Sequence, residues 1–339
     1  MQSRMLQATW LLVVMTACRP TGQQGAPAQQ VRADGSSTVF PITEAMAEEF
    51  RAQRPDVQVT AAVSGTGGGF KRLCAGEADL VGASRPIKGA ELEACAKSGV
   101  TFVELPVAYD GLAVVVNPRN TWAQAITVEE LRKIWQPESQ GRVMTWKDVR
   151  ADWPDTPLRL FGPGVDSGTY DYFTEAIIHR EHASRGDFTS SEDDNILVQG
   201  VSRDEGALGF FGYGYYAENQ DKLRLLPVDD GNEANGAGAV APSPETVRNG
   251  SYQPLSRPLF VYVSARALER PEVLSFISFY LQQAPKLVGQ VGYVPLQERG
   301  YQLAQRRLEA RTPGSLFGGK GAQVGVTVES LLEKAGPGL

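Results

Sequence analysis

Apolar residues recur along the chain in two alternating rhythms. Ile42, Met46 and Phe50 fall at i, i+4 and i+8, the face of a helix that Pro55 ends. Residues 57–63 then alternate apolar and polar, as a half-buried strand does. Gly67 to Gly69 lead into a helix beginning near Phe70, and residues 79–83 read as a short buried strand. Two apolar runs follow at 102–106 and 112–116. Thr127 stands three residues before Glu130, so hydroxyl and carboxylate can cap each other's backbone amides. Leu131, Ile134 and Trp135 give that helix its buried face. A strand at 158–161 precedes a helix marked by Tyr170, Phe173 and Ile177. Residues 207–216, aromatic and glycine-rich, predict a strand and turn, and residues 259–263 another strand. Pro271 suits the first turn of a helix reaching Leu281, and helices near 299–310 and 327–335 close the chain. Strands alternating with helices predict α/β layers, mainly parallel sheets and, at this length, two lobes.

The 339 residues are 42% apolar and 21% charged, which excludes whole-chain disorder, collagen and coiled coil. The formal charge of −6 argues against nucleic acid as a partner, because a phosphate backbone calls for a basic face. A small anion stays open, since one pocket can oppose the net charge. No apolar run reaches the roughly 18 residues that span a bilayer. Residues 1–17, with Arg4 before a short apolar stretch, read as a signal peptide. Cys18 after Thr16 and Ala17 resembles a bacterial lipoprotein lipobox, which implies cleavage before Cys18 and a lipid on its sulfur. Residues 18–30, polar with Pro and Gly, read as a tether. Cys74 and Cys95 then remain as an even pair in an exported protein, which reads as a disulfide; the alternative is two buried thiols.

Four segments place Ser, Thr or Gly where a strand gives way to a helix or loop. They are Gly35 to Pro41, Ser64 to Gly69, Gly82 to Pro86, and Asp166 to Thr169. A helix N-terminus offers unpaired N–H groups and the positive end of a dipole; hydroxyls add donors. Arg85 adds charge and a planar donor fork. Converging, these segments would bind an oxyanion. Singly, each is an ordinary cap or turn.

The stretches GSSTVFPITEAMAEEF, SGTGGGFKRLCAGEADL, ASRPI, ELPVAYDGLAVVVNP, DSGTYDYFTEAI and PLSRPLFVYVS, in this order, resemble the periplasmic phosphate-binding proteins of ABC importers, in their lipoprotein branch. The likeness covers roughly residues 31–317. It implies a two-lobed α/β periplasmic-binding-protein fold of type II with the ligand in the interlobe cleft. It implies lobe one from 31–112 and 255–339, lobe two from 113–254, and hinge crossovers near 107–115 and 245–258. It also implies inorganic phosphate as ligand, and a permease with its ATPase as partners. Carried over by position, Ser37, Thr38, Ser64, Thr66, Ser84 and Arg85 would serve the anion from the first lobe, and Ser167, Gly168 and Thr169 from the second.

Two departures from another branch stand out. Arg85 occupies the place of an Asp that accepts the proton of hydrogen phosphate, and Pro163 the place of an Arg. Positive charge has moved from the second lobe to the first, and the proton acceptor must come from elsewhere. Asp166 and Asp110 are the candidates. A site of donors alone would also suit sulfate, which keeps a sulfate binder open; a phosphate-sensing lipoprotein that kept the fold is a separate alternative. No catalysis, cofactor or metal is expected. His179 and His182 have the wrong spacing for a zinc helix, and along one helix would stand roughly 15 Å from Ser167. Glu192 to Asp194 read as a solvated loop or a helix start rather than a calcium site. The expectation is a monomer in the periplasm or cell envelope, touching the membrane only through its anchor.

Overall fold

The computed structural model describes residues 29–165, 167–180, 182–319 and 327–335. The signal peptide, Cys18 and Asp166 lie outside the described residues. The tether ends earlier than residue 30, because Gln29 already belongs to a strand.

The chain opens with β1 (Gln29–Gly35), α1 (Phe40–Gln53), β2 (Val57–Ala61), α2 (Gly65–Cys74), β3 (Leu80–Ala83) and α3 (Gly89–Lys97). Strand β4 (Phe102–Val116) follows, buried at all 15 positions. Beyond it come β5 (Ile126–Thr127), α4 (Val128–Trp135), α5 (Trp146–Val149), β6 (Arg159–Pro163) and α6 (Gly168–Phe173). It continues with β7 (Thr189–Ser191), α7 (Asp194–Arg203), β8 (Ala207–Gly212), α8 (Tyr213–Glu218), β9 (Arg224–Leu225), β10 (Val228–Asp229) and α9 (Pro244–Arg248). The chain then returns through β11 (Ser256–Ser264) to α10 (Pro271–Gln290), α11 (Glu298–Glu309) and α12 (Val328–Lys334). Among the described residues no helix is long and apolar enough to cross a membrane.

The sheet is one mixed path, β2-β1-β3-β11-β4-β8-β6-β7, with β9 beside β4. The strands are mixed rather than mainly parallel: β4 joins one set, β2-β1-β3-β11, to a second, β8-β6-β7, and β5 with β10 forms a separate two-stranded parallel sheet. β1 runs parallel to β2 and β3, but β11 is antiparallel to both β3 and β4. The reason is directional: β11 re-enters the first lobe from the second, so it runs against the strand that left. β4 is the shared element. Its residues up to Gly111 pair with β11, and from Leu112 onward it pairs with β8. The two apolar runs read from the sequence are thus one strand, and Asp110 and Gly111 between them are buried rather than a break.

Period-based helices hold up. Ile42, Met46 and Phe50 are buried under α1, with Phe50 against Phe276 and Phe279 of α10. The Thr127–Glu130 capping box is present, the Glu130 amide donating to the Thr127 hydroxyl at 3.1 Å. Residues 213–216, expected as a turn, start α8 instead. α12 packs on α11, burying Val328 and Leu332.

Cys74 and Cys95 are joined, tying the end of α2 to α3. The chain-entropy argument gives about 3 kcal/mol for a loop of this size. Replacing both by Ser is expected to lower stability by about that amount. Differential scanning calorimetry of the oxidised protein and the variant checks it; equal melting temperatures would contradict it.

Candidate functional site

The C-terminal ends of β1 and β3 and the loop after β2 meet at one edge of the sheet. The chain turns sharply there. At Gly35, φ is +120°, and a Cβ would lie 2.2 Å from the Gly82 carbonyl oxygen, so only glycine fits. Gly69 of α2 packs against Gly35 in the same way, its Cβ position 2.7 Å from the Gly35 Cα. Much of the glycine richness therefore serves packing of the loops against one another. Gly65 and Gly67, by contrast, face a cavity of ≈ 420 Å³.

That cavity collects the expected first-lobe residues. Ser37, Thr38, Ser64, Thr66, Ser84 and Arg85 all line it. The hydroxyls of Thr38, Ser64, Thr66 and Ser84 are already engaged in hydrogen bonds. The Ser84 amide donates to Thr66 Oγ1 at 3.2 Å, and the two hydroxyls lie 3.1 Å apart. The Thr38 amide donates to Ser36 Oγ at 3.2 Å. Ser64 does not cap α2; its hydroxyl donates to Asp34 Oδ1 at 2.6 Å, and Arg72 answers the other Asp34 oxygen at 3.1 Å. Such prior bonding fixes each donor's position, so little side-chain freedom remains to be lost on binding.

Arg85 is held from behind. Its Nη1 and Nη2 reach the two Glu91 oxygens at 2.9 and 2.8 Å, and Nη1 also donates to the Pro86 carbonyl. Burial works against its charge, yet the Glu91 carboxylate outweighs this and holds the guanidinium above its ordinary value. Burial likewise opposes Glu91's charge, while Arg85 and the Lys88 amide pull its carboxyl below the usual range. Among the described residues Arg85 Nε has no hydrogen-bond partner, and the residue lines the cavity.

The opposite wall differs from expectation by one helical turn. Asp171, Tyr172, Glu175 and His182 form it. Ser167 caps α6, accepting from the Thr169 amide at 3.2 Å. Gly168 does not face the cavity but closes onto the first lobe: the Thr38 hydroxyl donates to its carbonyl at 3.5 Å. Among the described residues the Thr169 hydroxyl makes no hydrogen bond. His182 reaches the rim because α6 passes into a π-helical turn, Thr174–Ile178, and then His179 and His182 both take left-handed φ of 61°. The chain doubles back, and His182 Nδ1 comes within 2.9 Å of Asp171 Oδ1. Extending one straight helix through both histidines was therefore wrong. His179 instead meets Arg132.

Two residues that sequence reasoning assigned differently or passed over stand beside the cavity. Asp110 was a candidate proton acceptor, but it is buried and does not line the cavity. Burial pushes its carboxyl up, opposed by Arg257, whose Nε lies 3.3 Å from Oδ2. Arg257 itself lines the cavity and donates from Nη2 to Thr38 Oγ1 at 3.1 Å. Its stretch, PLSRPLFVYVS, contributes to the family resemblance, and residues 259–263 read as a strand, but neither reading assigns Arg257 to the site. A larger cavity, ≈ 710 Å³, lies at the other end of the first-lobe strands. Its Arg32 and Arg270 are both paired with buried Asp79, at 3.0 and 2.7 Å, a network complete in itself.

The acidic run ends as a helix start, as expected, with one addition. Asp193 caps α7, accepting from the Asn195 amide at 2.9 Å. Asp194 is pushed up to about 7 by burial, then by Asp193 and Glu192. A carboxyl raised on folding binds its proton more tightly in the folded state. Its stabilising contribution is present at acid pH and lost as pH rises from about 4 to about 7. Asp194→Asn is expected to flatten that part of the stability–pH curve and to raise stability near pH 8 by about 1 kcal/mol. Urea unfolding at pH 5 and pH 8 checks this; an unchanged slope would refute it.

Comparison with known proteins adds to the geometry. A family model of the PBP superfamily domain matches residues 21–284. Protein SphX of Synechococcus elongatus is 50% identical over 326 residues, 96% of this chain and 95% of its own. The phosphate-binding protein PstS of Staphylococcus saprophyticus is 34% identical over 302 residues, 88% of this chain and 90% of its own. A crystal structure described as a possible phosphate binding protein from Planctomyces limnophilus superposes with a TM-score of 0.78 at 48% identity, covering 84% of this chain and 98% of that one.

Proposed function

Because the chain belongs to the PstS-like phosphate-binding proteins of the PBP superfamily, we propose that it captures inorganic phosphate between its two lobes and delivers it to an ABC-type phosphate permease. The observation that carries this is the meeting of the 36–38, 64–67 and 84–85 loops on one polar cavity, closed from across by Gly168. Hydroxyls and backbone amides from Ser37, Thr38, Ser64, Thr66 and Ser84 surround the anion, and Arg85 supplies charge. From the second lobe Gly168 closes onto Thr38 beside the anion, with Ser167 and Thr169 flanking it in the chain. Asp171 and Glu175 are the carboxylates on the wall, placed to accept a proton from hydrogen phosphate, which sulfate cannot offer. The site binds without reacting: its donors are fixed, and nothing in it needs to turn over.

The lobes comprise residues up to 112 with 255–339, and 113–254; the change of β4's partner between Gly111 and Leu112 supports that division. Closure about these crossovers surrounds the ligand and presents the closed form to the permease. The protein works as a monomer in the periplasm, held to the membrane by a lipid on Cys18.

Calorimetric titration decides the matter, on protein unfolded and refolded to strip carried-over ligand. Phosphate is expected to bind tightly and sulfate not at all. Comparable heats for both would remove the specificity, and silence toward both would remove the reading.

A further inference from the structure

Arg257 sits where three parts of the molecule meet. It lies on β11 opposite Asp110 of β4, next to the pair Ser256 and Gly111 where β4 changes partner. Its side chain touches something different on each side. Nε faces Asp110 Oδ2 at 3.3 Å, from the crossover itself. Nη2 donates to Thr38 Oγ1 at 3.1 Å, from the first lobe's anion loop. The guanidinium carbon lies 3.6 Å from the centre of the Tyr172 ring, on the second lobe's α6. Tyr172 is fixed in turn, its hydroxyl donating to the Pro254 carbonyl at 2.6 Å.

A planar cation against a ring, with one edge on a carboxylate and one on a hydroxyl, has little freedom left. Yet it is not saturated. Of five N–H groups, one faces Asp110 and one Thr38; Nη1 has no hydrogen-bond partner among the described residues. The side chain borders the cavity at 14% exposure. Arg85, in contrast, has both Nη atoms on Glu91. Cationic donor capacity within the cavity is thus greater at Arg257 than at Arg85.

We propose that Arg257 is a second anion ligand and the link between anion binding and lobe closure. The proposal rests on phosphate being the ligand of the cleft. A phosphate drawing on Nη1 and on the Thr38 hydroxyl tightens the guanidinium toward the first lobe, and Tyr172 carries that position to the second. From the crossover, Arg257 touches Thr38 on one side of the cleft and Tyr172 on the other.

Arg257→Lys separates this role from simple support of Asp110. Lysine keeps a counter-charge for Asp110 but loses the fork and the flat face. Its thermal stability without ligand is expected to stay close to wild type, while phosphate affinity falls at least about tenfold. The phosphate-induced fall in radius of gyration, read by small-angle X-ray scattering, is expected to shrink. Tyr172→Leu leaves every charge in place and is expected to reduce both readouts in the same direction, which keeps the question answerable if Arg257→Lys folds poorly. Wild-type affinity and full compaction in either folded variant would overturn the proposal. Failure of the wild-type protein to bind phosphate would overturn the reading of the cleft and this inference with it.

Discussion

Gly168→Val is expected to abolish phosphate binding while leaving each lobe folded. A Cβ at residue 168 would lie 2.6 Å from Thr38 Oγ1, 2.8 Å from the Thr38 nitrogen and 2.9 Å from Ser37 Oγ. Side-chain ends can swing away, but the Thr38 backbone cannot. The Ser36 carbonyl accepts from both the Val39 and Phe40 amides, and Ser36 Oγ from the Thr38 amide. The loop that would have to yield is the one that positions the anion donors. Relief comes more cheaply by holding the lobes apart, and that leaves the site incomplete. Affinity is expected to fall at least about 100-fold, or roughly 3 kcal/mol. Because parting the loops removes the clash, the melting temperature without ligand is expected to move little. Calorimetric titration and a melting curve check the two halves. Wild-type affinity would mean that residues 168 and 38 do not meet in the bound state.

Arg85→Ala is expected to cost nearly as much, for a different reason. The substitution removes a charged donor and also leaves Glu91 unanswered beside the anion. Glu91 would still accept from the Lys88 amide at 2.8 Å, so it stays in place and repels. Truncating one partner of a partly buried charged pair costs about 2–4 kcal/mol, roughly 30- to 1000-fold in affinity. Arg85→Ala combined with Glu91→Gln is expected to recover part of the loss, since the repulsion goes with the charge. A double variant that binds no better and no worse than Arg85→Ala alone would show that Glu91 acts only by holding Arg85. An unchanged affinity in Arg85→Ala alone would remove Arg85 from the site.

Local pattern and tertiary placement differ in how far the sequence discloses them. Helix α1 is legible because Ile42, Met46 and Phe50 share a face whatever the rest of the chain does. The hydroxyl loops are legible because Ser, Thr and Gly at a strand's end carry their chemistry in the local backbone. Arg257 is not legible in that way. It becomes a cavity residue only through antiparallel pairing of segments about 150 positions apart, here residues 110 and 257. Its signal was present in retrospect: an arginine two residues before an apolar run needs a carboxylate, and Asp110 is an acidic residue between two apolar runs. His182 escaped for the opposite reason. A period of 3.6 residues assumes that the helix continues, whereas a π-helical turn and two left-handed residues bring it back beside Asp171. The sheet's mixed character was hidden as well, because alternation of strands and helices does not tell which strand comes home from another lobe.

That homecoming bears on the order in which the molecule can be assembled. β11 lies between β3 and β4, yet it is made after the whole of the 113–254 segment. As the polypeptide emerges from the N-terminus, β3 and β4 each present an unpaired backbone edge until residues 256–264 arrive. The inserted segment, by contrast, has its strands β8, β6 and β7 and its α7 in hand well before then. The later-numbered lobe is therefore complete first, and the earlier-numbered one waits for its central strand. A nascent chain stopped short of residue 256 would carry a finished second lobe and two open edges, the form in which this protein is most exposed to mispairing with its neighbours.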